Sequence, residues 1–190
     1  IYEFMGDDVA VFKEALDALL KQKVSALVID LRDNPGGLLG DVLDIADRLL
    51  DEGLVVYMEN RHGERQSFYS EKGGVDLPMA VLVNGFSASA SEVLTGALQD
   101  YGVAEVVGET TFGKGIVQTI TTFGGDGAGL HMTTESYYTP KGRSIHGTGI
   151  EPDVVIAPDE SDEINAEQPD PAKDAQLRKA VELLAEKIEK

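Results

Sequence analysis

The sequence predicts an α/β domain with a largely parallel sheet, an added antiparallel β part and a C-terminal helix. Three observations predict it. Short apolar runs of strand length alternate with segments whose apolar residues recur at helical spacing, the order expected of strands joined by helices. Twice, the junction from strand to helix is a turn of small residues, "NPGG" at residues 34–37 and "GFSASAS" at residues 85–91. From Ile116 to Thr139 β-branched residues take over and the helical period disappears.

Each element follows from its own pattern. Val9, Phe12, Leu16, Leu19 and Leu20 predict a helix from Val9 to Gln22 that feeds a buried strand from Val24 to Leu31. Leu39, Val42, Leu43, Ala46, Leu49 and Leu50 predict the next helix, and Leu54 to Asn60 the strand after it. That β–α–β order predicts a right-handed crossover within one parallel sheet. The polar stretch with Gly63, Gly73 and Gly74 predicts a hairpin arm. The unit then recurs as strand Met79–Asn84, helix Glu92–Gln99 and strand Ala104–Gly108. "IVQTITTF" and "LHMTTESYYT" predict an antiparallel pair connected through "GGDGAG", and "PKGRS" opens the next loop. These elements make one core domain over residues 1–158. Residues 159–170 are acidic, proline-punctuated and poor in apolar side chains, which predicts a linker. In residues 171–190, Leu177, Ala180, Val181, Leu184 and Ile188 predict a helix docked on the core.

Composition removes several function classes. The chain of 190 residues, 42% hydrophobic, suffices for one domain with a substantial core. Its 34 acidic against 16 basic side chains give a net charge of -18, which repels phosphate backbones and anionic lipid surfaces. Nucleic acid is therefore not an expected partner. No apolar run approaches the ~20 residues that span a bilayer, so no membrane insertion by this chain is expected. Without cysteine there is no disulfide, thiolate nucleophile or thiolate metal site. The first residue is Ile1 instead of Met, which reads as an excised or processed piece.

The candidate chemistry gathers in three loops. "GETTFGK", Gly108 to Lys114, fits the start of a P-loop, yet Gly115 stands where a magnesium-binding hydroxyl belongs and a strand-like run follows where a helix should begin. A nucleotide site is therefore the weaker reading of Lys114. In "NPGG", Gly36 and Gly37 read either as a simple turn or as a place where backbone N–H groups face an anion. "SASAS", Ser87 to Ser91, brings hydroxyls and little bulk to the start of a helix. Ser89 with Glu92 makes an S-x-x-E capping box, and a nucleophilic Ser89 would also have the Ala90 N–H beside its oxyanion. His62 and His146 lie in polar loops and His131 begins a strand, so each reads as a surface or satisfied histidine, and three scattered histidines with no H-E-x-x-H give no metal site. Asp30 and Asp33 read as turn anchors. Lys114 remains as a base, provided that burial among Phe112, Ile116 and the glycines favours its neutral amine. Gln118 shares its face by strand alternation, about 13 Å away at about 3.3 Å per residue, so contact requires a bend, expected at Gly115.

Four blocks, "ALVIDLRDNPGGLL", "VLVNGFSASASEVLTGALQD", "VVGETTFGKGIVQT" and "YYTPKGRSIHGTGIEPDVVI", together resemble the carboxyl-terminal processing peptidases, or tail-specific proteases, over about Ile1 to Ile156. The resemblance implies a ClpP/crotonase-like ββα core. It implies a Ser-Lys serine endopeptidase, with Ser89 as nucleophile, Lys114 as general base and Gln118 orienting the lysine. Ala90 and Gly36 or Gly37 would donate to the oxyanion, with Gly36 slightly preferred. No cofactor, metal or ATP is implied. The implied partners are unfolded or extended C-terminal segments of proteins, and a homo-oligomer is compatible. The implied address is extracytoplasmic, in bacterial periplasm or cell envelope, with the thylakoid lumen as alternative. Phe86 departs from the glycine usual before the serine cluster, which bears on pocket lining. No PDZ domain is expected in this chain. The alternatives are a non-catalytic peptide- or ligand-binding module, and an inactive excised core that needs a PDZ domain.

Overall fold

The computed structural model describes residues 1–124, 127–159, 162–165 and 167–189. Its elements run α1 (Asp8–Lys21), β1 (Leu27–Asp30), α2 (Leu39–Leu49), β2 (Gly53–Asn60), β3 (Arg65–Ser70), β4 (Met79–Val83), α3 (Ala90–Tyr101), β5 (Ala104–Gly108), β6 (Ile116–Phe123), β7 (Ala128–Tyr138), β8 (Val154–Val155) and α4 (Ala175–Ile188). They form the α/β fold that the sequence predicts, with a four-stranded parallel sheet in the order β1-β4-β5-β8 and a second, antiparallel sheet in the order β3-β2-β7-β6.

Strand β4 shows how the parallel sheet is covered. All five of its residues are buried, and alternation sends Met79, Val81 and Val83 into the main core while Ala80 and Leu82 face the other side. The main core lies under α2 and α3 with Ile45, Leu49, Leu94 and Leu98. The opposite face is closed by α4, whose Leu177, Ala180 and Leu184 pack on Ala80, Leu82 and Val107. Asp174 caps α4, accepting from the Leu177 N–H at 2.9 Å.

One crossover runs differently from the sequence expectation. Strand β2 does not return to the parallel sheet beside β1; it pairs antiparallel with β3 and β7 in the second sheet. The neighbour of β1 is β4. The short hairpin to β3 supplies β2 with an adjacent partner, so β2 leaves the first sheet after α2. The N-terminal segment makes no full strand: Phe4, fully buried, forms a single parallel bridge to Gly37. In β6 and β7 the outer halves are exposed on both faces, and residues 125 and 126 of the expected "GGDGAG" connection lie outside the described residues. Residues 160, 161 and 166 of the expected linker also lie outside them.

Candidate active site

Parallel neighbours discharge their turns at one end of a sheet, so the segments after β1, β4 and β5 converge. Hydrogen bonds lace the first two together. Ser87 Oγ donates to the Leu31 carbonyl at 2.7 Å and Ser91 Oγ to the Asn34 carbonyl at 2.9 Å. The Ala88 N–H donates to the Asn34 carbonyl as well, at 3.0 Å, and the Asn84 amide pairs with Asp33. The third turn joins through the Phe112 N–H, which donates to the Ser87 carbonyl at 3.0 Å. The three serines are thereby sorted: Ser87 and Ser91 are fully buried ties, and Ser89 stands between them.

Ser89 precedes α3 with φ 55° and ψ -114°, outside the regions that residues with a Cβ favour, at a cost on the order of 1–3 kcal/mol. The capping box with Glu92 is formed; the Ser89 N–H donates to the Glu92 carboxylate at 2.8 Å. The next N–H, that of Ala90, has no partner among the described residues, as befits the first turn of a helix. Gly36 packs into this corner. A Cβ on it would lie 2.7 Å from the Ala88 oxygen, 2.8 Å from Ser89 Cβ and 2.9 Å from the Ala90 nitrogen, and its φ is 104°, so glycine is required. The Gly36 N–H is occupied, donating to Asn34 Oδ1 at 2.8 Å. The Gly37 N–H next to it has no partner among the described residues.

Lys114 comes to the same corner through its backbone. Its N–H donates at 2.8 Å to Glu92 Oε2, the oxygen that also accepts from Ser89 at 2.8 Å, so the two nitrogens lie within twice that distance. Its side chain is exposed, in a cleft of about 500 Å³ shared with Asp33, Pro35, Phe86, Ala88 and Phe112. The expected burial is thus not found. Phe112 is 64% exposed because it faces the cleft, and Ile116 is only half-buried. Gln118 is exposed on β6 opposite Thr133, and no hydrogen bond joins it to Lys114 among the described residues. The irregularity near it falls between Val117 and Gln118, not at Gly115, and the extra residue there is Thr134 on β7.

The remaining candidates are anchors. His62, His131 and His146 are exposed. Asp30 grips Arg32, and Arg32 reaches Asp174 and Gln176 at the start of α4. A second cavity, about 440 Å³ and mostly apolar, lies between α1, β1 and α4; neither Ser89 nor Lys114 lines it. Sequence reasoning passed over Asn34, which fixes Gly36, and Thr111, which is buried against Glu92. For Asn34 its place ahead of the glycine pair was a usable signal; for Thr111 there was none.

A hydroxyl, two N–H groups without partners among the described residues and a lysine whose backbone is held at the same helix start are the kinds of group that acyl transfer uses. The chain belongs to peptidase family S41, whose sequence model matches residues 1–156. A carboxyl-terminal-processing protease of Synechocystis sp. is 47% identical over 143 residues, which cover 75% of this chain and 33% of that protein. One from Bartonella bacilliformis is 43% identical over 150 residues, 77% of this chain and 34% of that protein. Among solved structures, the photosystem II D1 C-terminal processing protease superposes with a TM-score of 0.79 at 38% identity, over 83% of this chain and 41% of that one. The tricorn protease shares the fold at a TM-score of 0.52 and 21% identity, over 87% of this chain and 15% of that one. The chain therefore spans about a third of the length of the curated relatives it matches.

Proposed function

We propose that this chain is the core of a serine endopeptidase that cuts proteins at or near their C-terminal tails, without ATP or metal. Ser89 Oγ attacks the scissile carbonyl while its proton passes to the Lys114 amine. The oxyanion rests on the N–H groups of Ala90 and Gly37; Gly36 is the weaker candidate because Asn34 already holds its N–H. Collapse breaks the C–N bond as Lys114 returns the proton to the leaving amine, and water then releases the acyl group with Lys114 again as base. A peptide laid over the open cleft would take water from Lys114, which the free chain leaves exposed. Gln118 would orient the lysine once β6 or the substrate closes on it.

The observation that carries this reading is the joint hold of Glu92 Oε2 on the backbones of Ser89 and Lys114. The names of the relatives support C-terminal segments as substrates. The resemblance also supports an extracytoplasmic address, in the bacterial envelope or thylakoid lumen; cell fractionation checks it. Incubation with an unfolded protein bearing an apolar C-terminus, with mass spectrometry of the products and with EDTA present, should show cleavage. Ser89→Ala and Lys114→Ala should each abolish it while the circular dichroism spectrum stays that of the parent. Undiminished cleavage by either variant would falsify the assignment.

The exposure of Lys114 and Gln118 favours a second reading, a core that binds tails but is assembled for cutting only with a PDZ domain. Tail binding without products, turned into cleavage when such a domain is supplied in the same chain, is its signature.

A further inference from the structure

Glu92 does more than a capping residue requires. A cap needs one bond, to the Ser89 N–H, and Glu92 Oε2 makes it at 2.8 Å. The other three donors belong to a segment 19 to 22 residues away: Thr111 Oγ1 at 2.6 Å and the Gly113 N–H at 2.7 Å on Oε1, and the Lys114 N–H at 2.8 Å on Oε2. Glu92 is fully buried, and four donors face its two oxygens, the demand that an acceptor-only carboxylate meets.

The segment so held has no regular structure of its own. Residues 109–115 connect β5 to β6; the Glu109 N–H still donates to the Val83 carbonyl of β4 and the Tyr137 N–H of β7 to the Gly115 carbonyl, while Gly113 between them sits at φ 86°. Between those ends its place is set by side-chain and backbone ties: the Phe112 N–H on Ser87, Thr111 exchanging bonds with Ile150, the Gly147 N–H on the Gly113 carbonyl, and the carboxylate of Glu92. Of these, only Glu92 touches both the residue before α3 and the backbone of Lys114.

We propose that Glu92 is the positioning residue of this site: its carboxylate fixes the Lys114 segment against the Ser89 turn and thereby sets the reach from amine to hydroxyl. This rests on the assignment of Ser89 and Lys114 made above. Glu92 does not touch substrate; it acts through the main chains of the two residues that do. Thr111 shares the task by holding Oε1 from the far side.

The test compares Glu92→Gln with the parent. The amide keeps the shape but turns a donor toward N–H or O–H groups, so the 111–114 segment shifts. Displacement by about 1 Å costs roughly 100-fold in rate, so kcat should fall by that order while KM stays within about twofold. A folded Glu92→Gln with parental kcat overturns the proposal, as does a loss borne by KM alone. Thr111→Val and Thr111→Ser form a second pair in case Glu92→Gln does not fold. Valine, which loses both the bond to Glu92 and the one accepted from the Ile150 N–H, should lower kcat at least about tenfold, and serine, which can keep both, should restore it; equal activity of the two overturns the shared role. Amide proton shifts separate this idea from the catalytic one. In Glu92→Gln the Ser89, Gly113 and Lys114 signals should all move upfield, whether or not the chain cuts peptides. Movement of Ser89 alone makes Glu92 a cap and nothing more.

Discussion

Ser89 holds a backbone conformation that glycine adopts freely, and the consequence is measurable. With the hydroxyl removed in both, Ser89→Gly should be more stable than Ser89→Ala by about 1 kcal/mol in urea denaturation, because alanine keeps the strain at φ 55°. Equal midpoints would show that the turn stores no strain. Gly36→Ala should go the other way. Its added methyl meets the Ala88 oxygen and the Ala90 nitrogen at under 3 Å, so a loss of about 2 kcal/mol or more is expected, with the same titration as check. At this scale the sequence was legible where local chemistry decides. A small-residue cluster between strand and helix marked Ser89, and the S-x-x-E spacing marked its bond to Glu92. It was not legible which of Gly36 and Gly37 offers its N–H, because that turns on the Asn34 side chain folding back two residues. Nor was the exposure of Lys114, since the sequence does not say that Phe112 faces the cleft.

Among the elements, α4 is fastened by a buried ion cluster. The Arg32 guanidinium, 6% exposed, sits 2.8 Å from Asp174 at the head of α4 and 2.6 Å from Asp30 at the end of β1. Burial alone would push the Asp174 carboxyl up, but hydrogen bonds from Arg32 and the Leu177 N–H outweigh it and hold it below its ordinary value. A carboxyl depressed in the folded state adds stability above its unfolded value of about 3.9, and loses it as pH falls through the lower folded value. The stability difference between the parent and Asp174→Asn should therefore be constant from about pH 8 to about pH 5 and shrink below about pH 4; a difference that persists in acid would assign the effect to packing. Hydrogen exchange should separate the elements in the second sheet: amides in the outer halves of β6 and β7, exposed on both faces, should exchange well before those of β4, which is buried throughout. Helical periods and the β4–α3–β5 unit were readable from the sequence because each is local. The transfer of β2 to the second sheet was not, since it depends on pairing with β7, about 80 residues later in the chain.

For the molecule as a whole, the charge of -18 sets the response to salt. Self-repulsion among surface carboxylates is screened as the Debye length falls from about 30 Å at 0.01 M to about 8 Å at 0.15 M, so the melting temperature should rise over that range. A flat or falling melting curve would mean that the ion pairs, Arg32 with Asp174 above all, matter more than the repulsion. The three turns emerge from one end of a sheet that is covered on both faces, which is why three separated sequence blocks converge on a single corner. Ten of the twelve residues of α3 are buried, so the helix that begins at Ala90 belongs to the interior as much as to the cleft. Tolerance to change is therefore unevenly divided: a library randomised at Pro35, Phe86 and Phe112 should yield soluble proteins with shifted substrate choice, whereas one randomised along α3 should yield mostly unfolded chains.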